Sequence, residues 1–263
     1  MIKLKSALLK RPYIKLVEKG NVENAHAIHV ASDYEKNKFE LLGLNAKAIV
    51  IPRGLSMDEY DNNKPLKDMD DIYQELKGKR KILFLGRIHP KKGFDILGPA
   101  MKKILEYDKN VALIIAGPDE AGYANTVKKM FSSLGILEHA LFTGMVLGQE
   151  KIALLKNSEM FVLPSHGENF GIAVLEALAC EIPVIVTDKT GLSSDILNYN
   201  CGVVTKISSE DFARGIMMIL RNGTLRQEMG INGKKLVREK YSWDVVGGAV
   251  LRLYDDIMAM AAR

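Results

Sequence analysis

The chain has 263 residues, 47% hydrophobic and 26% charged, with a formal net charge of +5. This is enough for one large domain or one and a half, with the composition of an ordinary soluble protein that buries a sizeable core. No apolar run approaches the 18 or so residues of a spanning helix, no secretory pattern follows Lys3 and Lys5, and Cys180 and Cys201 supply neither a disulfide framework nor metal-ligand spacing. A reducing, cytoplasmic setting is the expectation.

The first twenty residues carry six bases (Lys3, Lys5, Lys10, Arg11, Lys15, Lys19) against Glu18, interleaved with apolar residues such as Leu8, Leu9 and Ile14. A solvated helix face is the preferred reading, and peripheral contact with an inner membrane face the alternative. Apolar runs then predict strands at 27–31, 48–51, 81–86, 111–116, 140–143, 160–163, 183–186 and 202–205. Helical patterns separate them at 94–107, 121–134, 148–157, 171–180 and 209–221, with more helix at 224–239 and 243–261. Buried strands alternating with helices imply an α/β fold, a Rossmann-like parallel sheet with helices on both faces.

His26 and His29 sit three apart at the first strand and face opposite sides, which does not suit a shared metal. His89 and His139 have no companions that suggest ligation. Residues 61–79 are polar and charge-rich, and read as a linker with one helical stretch. Asp68-Met-Asp70, with Asp71 beside it, has a metal-binding form, but it falls in this linker rather than at a strand end. No metal or other cofactor is therefore expected.

Two constellations carry chemistry. Lys81-Ile-Leu-Phe-Leu-Gly86-Arg87 is a buried strand ending in Gly-Arg, followed by Lys91-Lys92-Gly93 and a helix whose first turns Gly98 and Pro99 weaken. Arg87 and Lys92 thus lie where open α/β sheets bind ligands, and can grip phosphate oxygens. Further on, Met160-Phe-Val-Leu-Pro164 enters the loop Ser165-His-Gly-Glu168-Asn169-Phe170, and a helix opens near Gly171. Amides at a helix start lack partners and attract phosphate. Glu176 lies five residues on, about 7 Å along the axis at ~1.5 Å per residue, a span that suits diphosphate to ribose. His166 beside Glu168 is a second-rank candidate for touching a sugar, and a solvated loop residue otherwise. Thr190-Gly191-Leu192-Ser193 opens another candidate helix. No Gly-x-Gly-x-x-Gly follows a strand, so the dehydrogenase fingerprint is missing.

Gly86-Arg87 with Lys92-Gly93, Glu168 to Glu176 around Phe170-Gly171, and Glu176-Ala-Leu-Ala followed by Pro183-Val-Ile-Val together resemble the retaining GT-B glycosyltransferases of group 1 (family 4). Ile49-Val-Ile-Pro-Arg-Gly54 resembles the interdomain hinge, where the family more often has Asn in place of Arg53, and Tyr241-Ser-Trp243 resembles the start of a closing helix.

The resemblance implies a hexosyl transfer from a nucleoside diphosphate sugar, with UDP or GDP as leaving group, to a glycan or lipid-linked acceptor, as in polysaccharide biosynthesis. Arg87 and Lys92 would bind the diphosphate, with Gly86 beside them. Glu168 would meet the donor sugar, as would Asn169 beside it, and the amides of Phe170, Gly171 and Ile172 would meet the phosphates. Glu176 would hold the ribose, and Met145 and Val146 would contact the nucleobase.

Residues 1–52 then read as a remnant of an amino-terminal acceptor domain, 53–80 as hinge and linker, 81–240 as the nucleotide-sugar-binding domain and 241–263 as the closing helix. A module inactive without a separate amino-terminal domain is the alternative. Another GT-B enzyme, such as a phosphorylase or epimerase, is a further rival. Nucleic acid is not an expected partner, since only net charge suggests it.

Overall fold

The computed structural model describes residues 12, 13, 17–61 and 69–261. Most of the basic amino-terminal segment, and Asp68, lie outside the described residues. A short helix α1 (Lys19–Glu23) leads into β1 (Ile28–Val30), α2 (Asp33–Glu40) and β2 (Ala48–Val50), and the two strands pair in parallel. The hinge segment follows with α3 (Met57–Asp61) and α4 (Met69–Ile72).

Six strands then alternate with helices: β3 (Arg80–Leu85), α5 (Phe94–Tyr107), β4 (Val111–Ala116), α6 (Tyr123–Leu134), β5 (Ala140–Gly144), α7 (Gly148–Lys156) and β6 (Met160–Leu163). The series continues with α8 (Ile172–Ala179), β7 (Val184–Thr187), α9 (Ser193–Asn198), β8 (Gly202–Thr205), α10 (Ser209–Arg221) and α11 (Gly223–Leu236). A π-helical turn at Val237–Tyr241 leads into α12 (Trp243–Ala261). Among the described residues no helix is long and apolar enough to cross a membrane.

The six strands form one all-parallel sheet in the order β5-β4-β3-β6-β7-β8. Every residue of β4, β6 and β7 is buried, which an open parallel sheet achieves only with helices on both faces. The chain leaves β3 in one direction for β4 and β5, then returns to β3's other side with β6. Between β3 and β6 the strand order reverses, and a crevice opens there at the carboxyl ends.

Local chemistry explains departures from the expected elements. Helix α5 starts directly after Gly93 and runs through Pro99, whose missing N–H forgoes one bond without ending the helix. Residues 69–79, read as part of a polar linker, contribute fully buried Met69 and Leu76 to the main core. The segment expected to be a hinge is tied to the chain entering α12: the Leu55 amide donates to the Tyr241 carbonyl (2.8 Å) and the Trp243 amide to the Leu55 carbonyl (3.2 Å).

Candidate functional site

The loop after β3 and the loop after β6 meet at the reversal point. Gly93 has φ +77°, and a Cβ on it would stand 1.8 Å from the Pro164 carbonyl oxygen, so only glycine permits this approach. The Lys91 carbonyl accepts from the Ser165 hydroxyl and the His166 amide, both at 2.9 Å, which fixes one loop on the other. Lys92 is thereby carried onto Glu168, and Nζ and Oε2 form a close ion pair with both side chains about one-fifth exposed.

Glu168 is itself anchored, since its amide donates to the Lys189 carbonyl and its carbonyl accepts from the Gly191 amide, each at 2.9 Å. Thr190-Gly191 therefore closes over the loop before α9 begins. Gly171, with φ +91°, turns the chain into α8. Among the described residues no acceptor meets the amides of Gly171, Ile172 or Ala173; the Val174 amide returns to the Gly171 carbonyl. These donors are left unpartnered at the positive end of the helix. The Phe170 ring is buried edge-on against Tyr241, with centroids 5.8 Å apart, so this residue offers the crevice its backbone.

A cavity of about 190 Å³ opens here, lined by Glu35, Arg53, Glu168, Asn169, Gly171 and Ile172. The segments that follow β1 and β2 supply one wall. Ser32 donates through Oγ to the Asn169 carbonyl, and Asn169 Nδ2 donates to Glu35 Oε1 at 2.8 Å. Arg53, at the hinge, is exposed and has no ion pair among the described residues. In the sequence Arg53 stood out only as a departure from the Asn more common in the family, with no role attached to it.

Two expected residues make other partners. Arg87 leaves the end of β3, but its guanidinium is paired with Glu120 (Nη1 to Oε2, 2.5 Å), from the segment between β4 and α6, and its side chain is 64% exposed. His166 Nε2 lies 2.9 and 3.0 Å from the two carboxylate oxygens of Asp95, at the start of α5, rather than on Glu168. Gly86, whose φ of +154° marks the end of β3, sits at the same edge. Met145 is exposed and Val146 buried beyond β5, at the same carboxyl edge two strands from β3.

Glu176 lies in the second turn of α8 with two donors on one oxygen. Lys151 Nζ is 2.8 Å from its Oε1 and the Tyr60 hydroxyl 3.1 Å. Neither Tyr60 nor Lys151 stood out in the sequence. Asp70, the described member of the Asp-x-Asp form, is paired with Lys81 at 2.8 Å, and no cluster of three or more metal-ligating side chains occurs among the described residues.

Comparison with known proteins bears on this geometry. Residues 67–236 match the family model of glycosyl transferases group 1. The chain is 32% identical over 221 residues to an uncharacterized glycosyltransferase of Methanocaldococcus jannaschii, MJ1607, covering 82% of this chain and 56% of the relative. It is 28% identical over 229 residues to the phosphatidyl-myo-inositol mannosyltransferase of Mycobacterium leprae, covering 86% and 58%. The chain thus spans a little over half the length of these curated relatives.

Among solved structures, Anabaena Alr3699/HepE in complex with UDP-glucose superposes with a TM-score of 0.81 at 18% identity, over 91% of this chain and 66% of that one. WaaG, a glycosyltransferase involved in lipopolysaccharide biosynthesis, superposes with a TM-score of 0.79 at 18% identity, over 94% and 68%. Likeness at that identity speaks to the fold. The family model covers most of this chain, the parallel sheet is that of the GT-B enzymes, and the chain belongs to the group 1 glycosyltransferase family.

Proposed function

We propose that this chain is the donor-binding part of a retaining glycosyltransferase that moves a hexosyl group from a nucleoside diphosphate sugar to a glycan or lipid-linked acceptor. One observation carries the reading: Lys92, Glu168 and the unpaired first amides of α8 converge on a single crevice at the reversal of strand order. In the transfer, the bond from the sugar's anomeric carbon to the diphosphate oxygen breaks. A bond to the acceptor oxygen forms on the same face, and the acceptor's proton passes to the departing diphosphate oxygen. Negative charge grows on the diphosphate, and Lys92 with the α8 amides is placed to stabilise it, the part a divalent cation plays elsewhere.

Arg53 adds a cation from the hinge wall. Arg87 would join by exchanging Glu120 for phosphate, at a small cost because an exposed ion pair is worth only about 0–1 kcal/mol. Glu168 would accept hydrogen bonds from hexose hydroxyls, and Glu176 from the ribose. Met145 and Val146 would border the base.

The test is calorimetric titration with UDP, GDP and ADP, followed by their hexose conjugates. At least one should bind, and the Lys92→Ala variant should lose about ten- to a hundredfold in affinity, the worth of one or two charge-assisted contacts. If none of these ligands binds, the reading is overturned. A transfer assay with and without a separately supplied amino-terminal half then distinguishes a self-sufficient transferase from a binding module that needs that half.

A further inference from the structure

Glu176 is held in a way that its place in α8 does not explain. Three elements remote in sequence meet at this carboxylate: α3 after the hinge, α7 after β5, and α8 itself. Tyr60 is 2% exposed, and the side chains of Lys151 and Glu176 are 18% and 13% exposed. Both donors address the same oxygen, Oε1, and Lys151 Nζ also lies 3.4 Å from the Tyr60 hydroxyl. Oε2 takes no part in either contact. Glu59, beside Tyr60, stands 3.7 Å from the same ammonium and adds to the field that holds it.

Burial first, and then the charge of Glu176, push the Tyr60 hydroxyl well above the ordinary tyrosine range, so it remains a donor at any working pH. A carboxylate in this position would otherwise turn between rotamers. Two donors on one oxygen remove that freedom and leave the second oxygen aimed by default. Preorganisation of this kind raises affinity by lowering what must be ordered on binding.

We propose that Lys151 and Tyr60 are positioning residues that clamp Glu176 through Oε1, so that Oε2 is presented to the ribose hydroxyls of a nucleoside diphosphate. The inference rests on the donor-site reading above and deepens it. It also ties ribose recognition to two elements remote from α8, because Tyr60 belongs to α3 and Lys151 to α7, which follows the Met145–Val146 segment. The clamp is a specificity device: a carboxylate held ready for hydroxyls is left unpaired by a nucleotide that lacks them.

The experiment measures affinities for UDP, GDP and ADP, and for their 2′,3′-dideoxy counterparts, by calorimetry on the chain and on its Tyr60→Phe, Lys151→Met and Glu176→Gln variants, with thermal melting of each as a folding control. The unaltered chain should favour the ribonucleotide by at least about tenfold. Tyr60→Phe and Lys151→Met should each cut that ratio several-fold, and combining Lys151→Met with Glu176→Gln should reduce it no further than Glu176→Gln alone. A merely structural role would lower melting temperature or both affinities together and leave the ratio untouched. That result, or a ratio near one in the unaltered chain, overturns the clamp while the donor site stands. Absence of all nucleotide binding instead overturns the donor-site reading.

Discussion

At the amino end of β3, Arg80 is heavily committed. Its Nε and Nη2 take Glu159 at 3.0 and 2.8 Å, Nη1 takes Asp108 at 3.1 Å, and Nη2 also donates to the Leu220 carbonyl at 2.6 Å. Arg226 joins the same Glu159 at 2.5 Å. At the carboxyl edge of the same sheet the polar groups are under-used: the amides of Gly171, Ile172 and Ala173 have no acceptor among the described residues, and Arg53 has no carboxylate among them. Both ends are charged, but only one keeps donors in reserve. A sheet end whose donors are spent contributes stability, and one whose donors remain is where a phosphate gains most by arriving.

Gly93→Ala should break this comparison most severely. Its Cβ would overlap the Pro164 carbonyl, and its φ of +77° disfavours any side chain, so the two loops must part. Loss of measurable nucleotide binding is expected by calorimetry, with a lowered midpoint in urea unfolding. Lys92→Ala should cost about ten- to a hundredfold in nucleotide affinity and lower the midpoint less than Arg80→Ala does, since it strips one ion pair and not a network. Arg80→Ala should do the reverse, costing about 1–3 kcal/mol in unfolding free energy with affinity preserved, since it strips partners from a partly buried carboxylate cluster. Equal losses of affinity in the Arg80 and Lys92 variants would erase the distinction between the two ends.

Arg53→Ala should reduce affinity a few-fold, more at low ionic strength than at high, because the guanidinium is exposed. Smallest of all should be the effect of thiol reagents at pH 8. Burial pushes the thiols of Cys180 and Cys201 up to about 12, so both should stay unlabelled in the folded chain and react on denaturation.

Much of the sheet was legible because its strands are local facts: runs such as Ile82 to Leu85 and Val111 to Ala116 are apolar throughout and bounded by polar turns. Pro99 looked like a threat to α5, yet the helix packs on α10 along a buried face, and that burial outweighs one missing bond. The region around Tyr60, Met69 and Leu76 was misjudged for the opposite reason. Its apolar residues are few and spaced among charges, so only the packed core reveals that they are inside.

The site divides in the same way. Lys92, Glu168, Gly171 and Glu176 could be picked out as candidates near strand ends, since a strand followed by a glycine-bearing loop and a helix places its residues at a known edge. That Lys92 would meet Glu168 depended on β6 lying beside β3, a matter of sheet order that no local window contains. Arg87 reaching Glu120, His166 reaching Asp95 and Tyr60 reaching Glu176 are likewise non-local, the last across 116 residues.

Sequence alone determined the class of fold, the family and the segments that carry charge to one edge, because hydrophobic period and turn chemistry act over a few residues. Which of those charges remain available was decided only in three dimensions, where each side chain's partners come from strands and helices far along the chain.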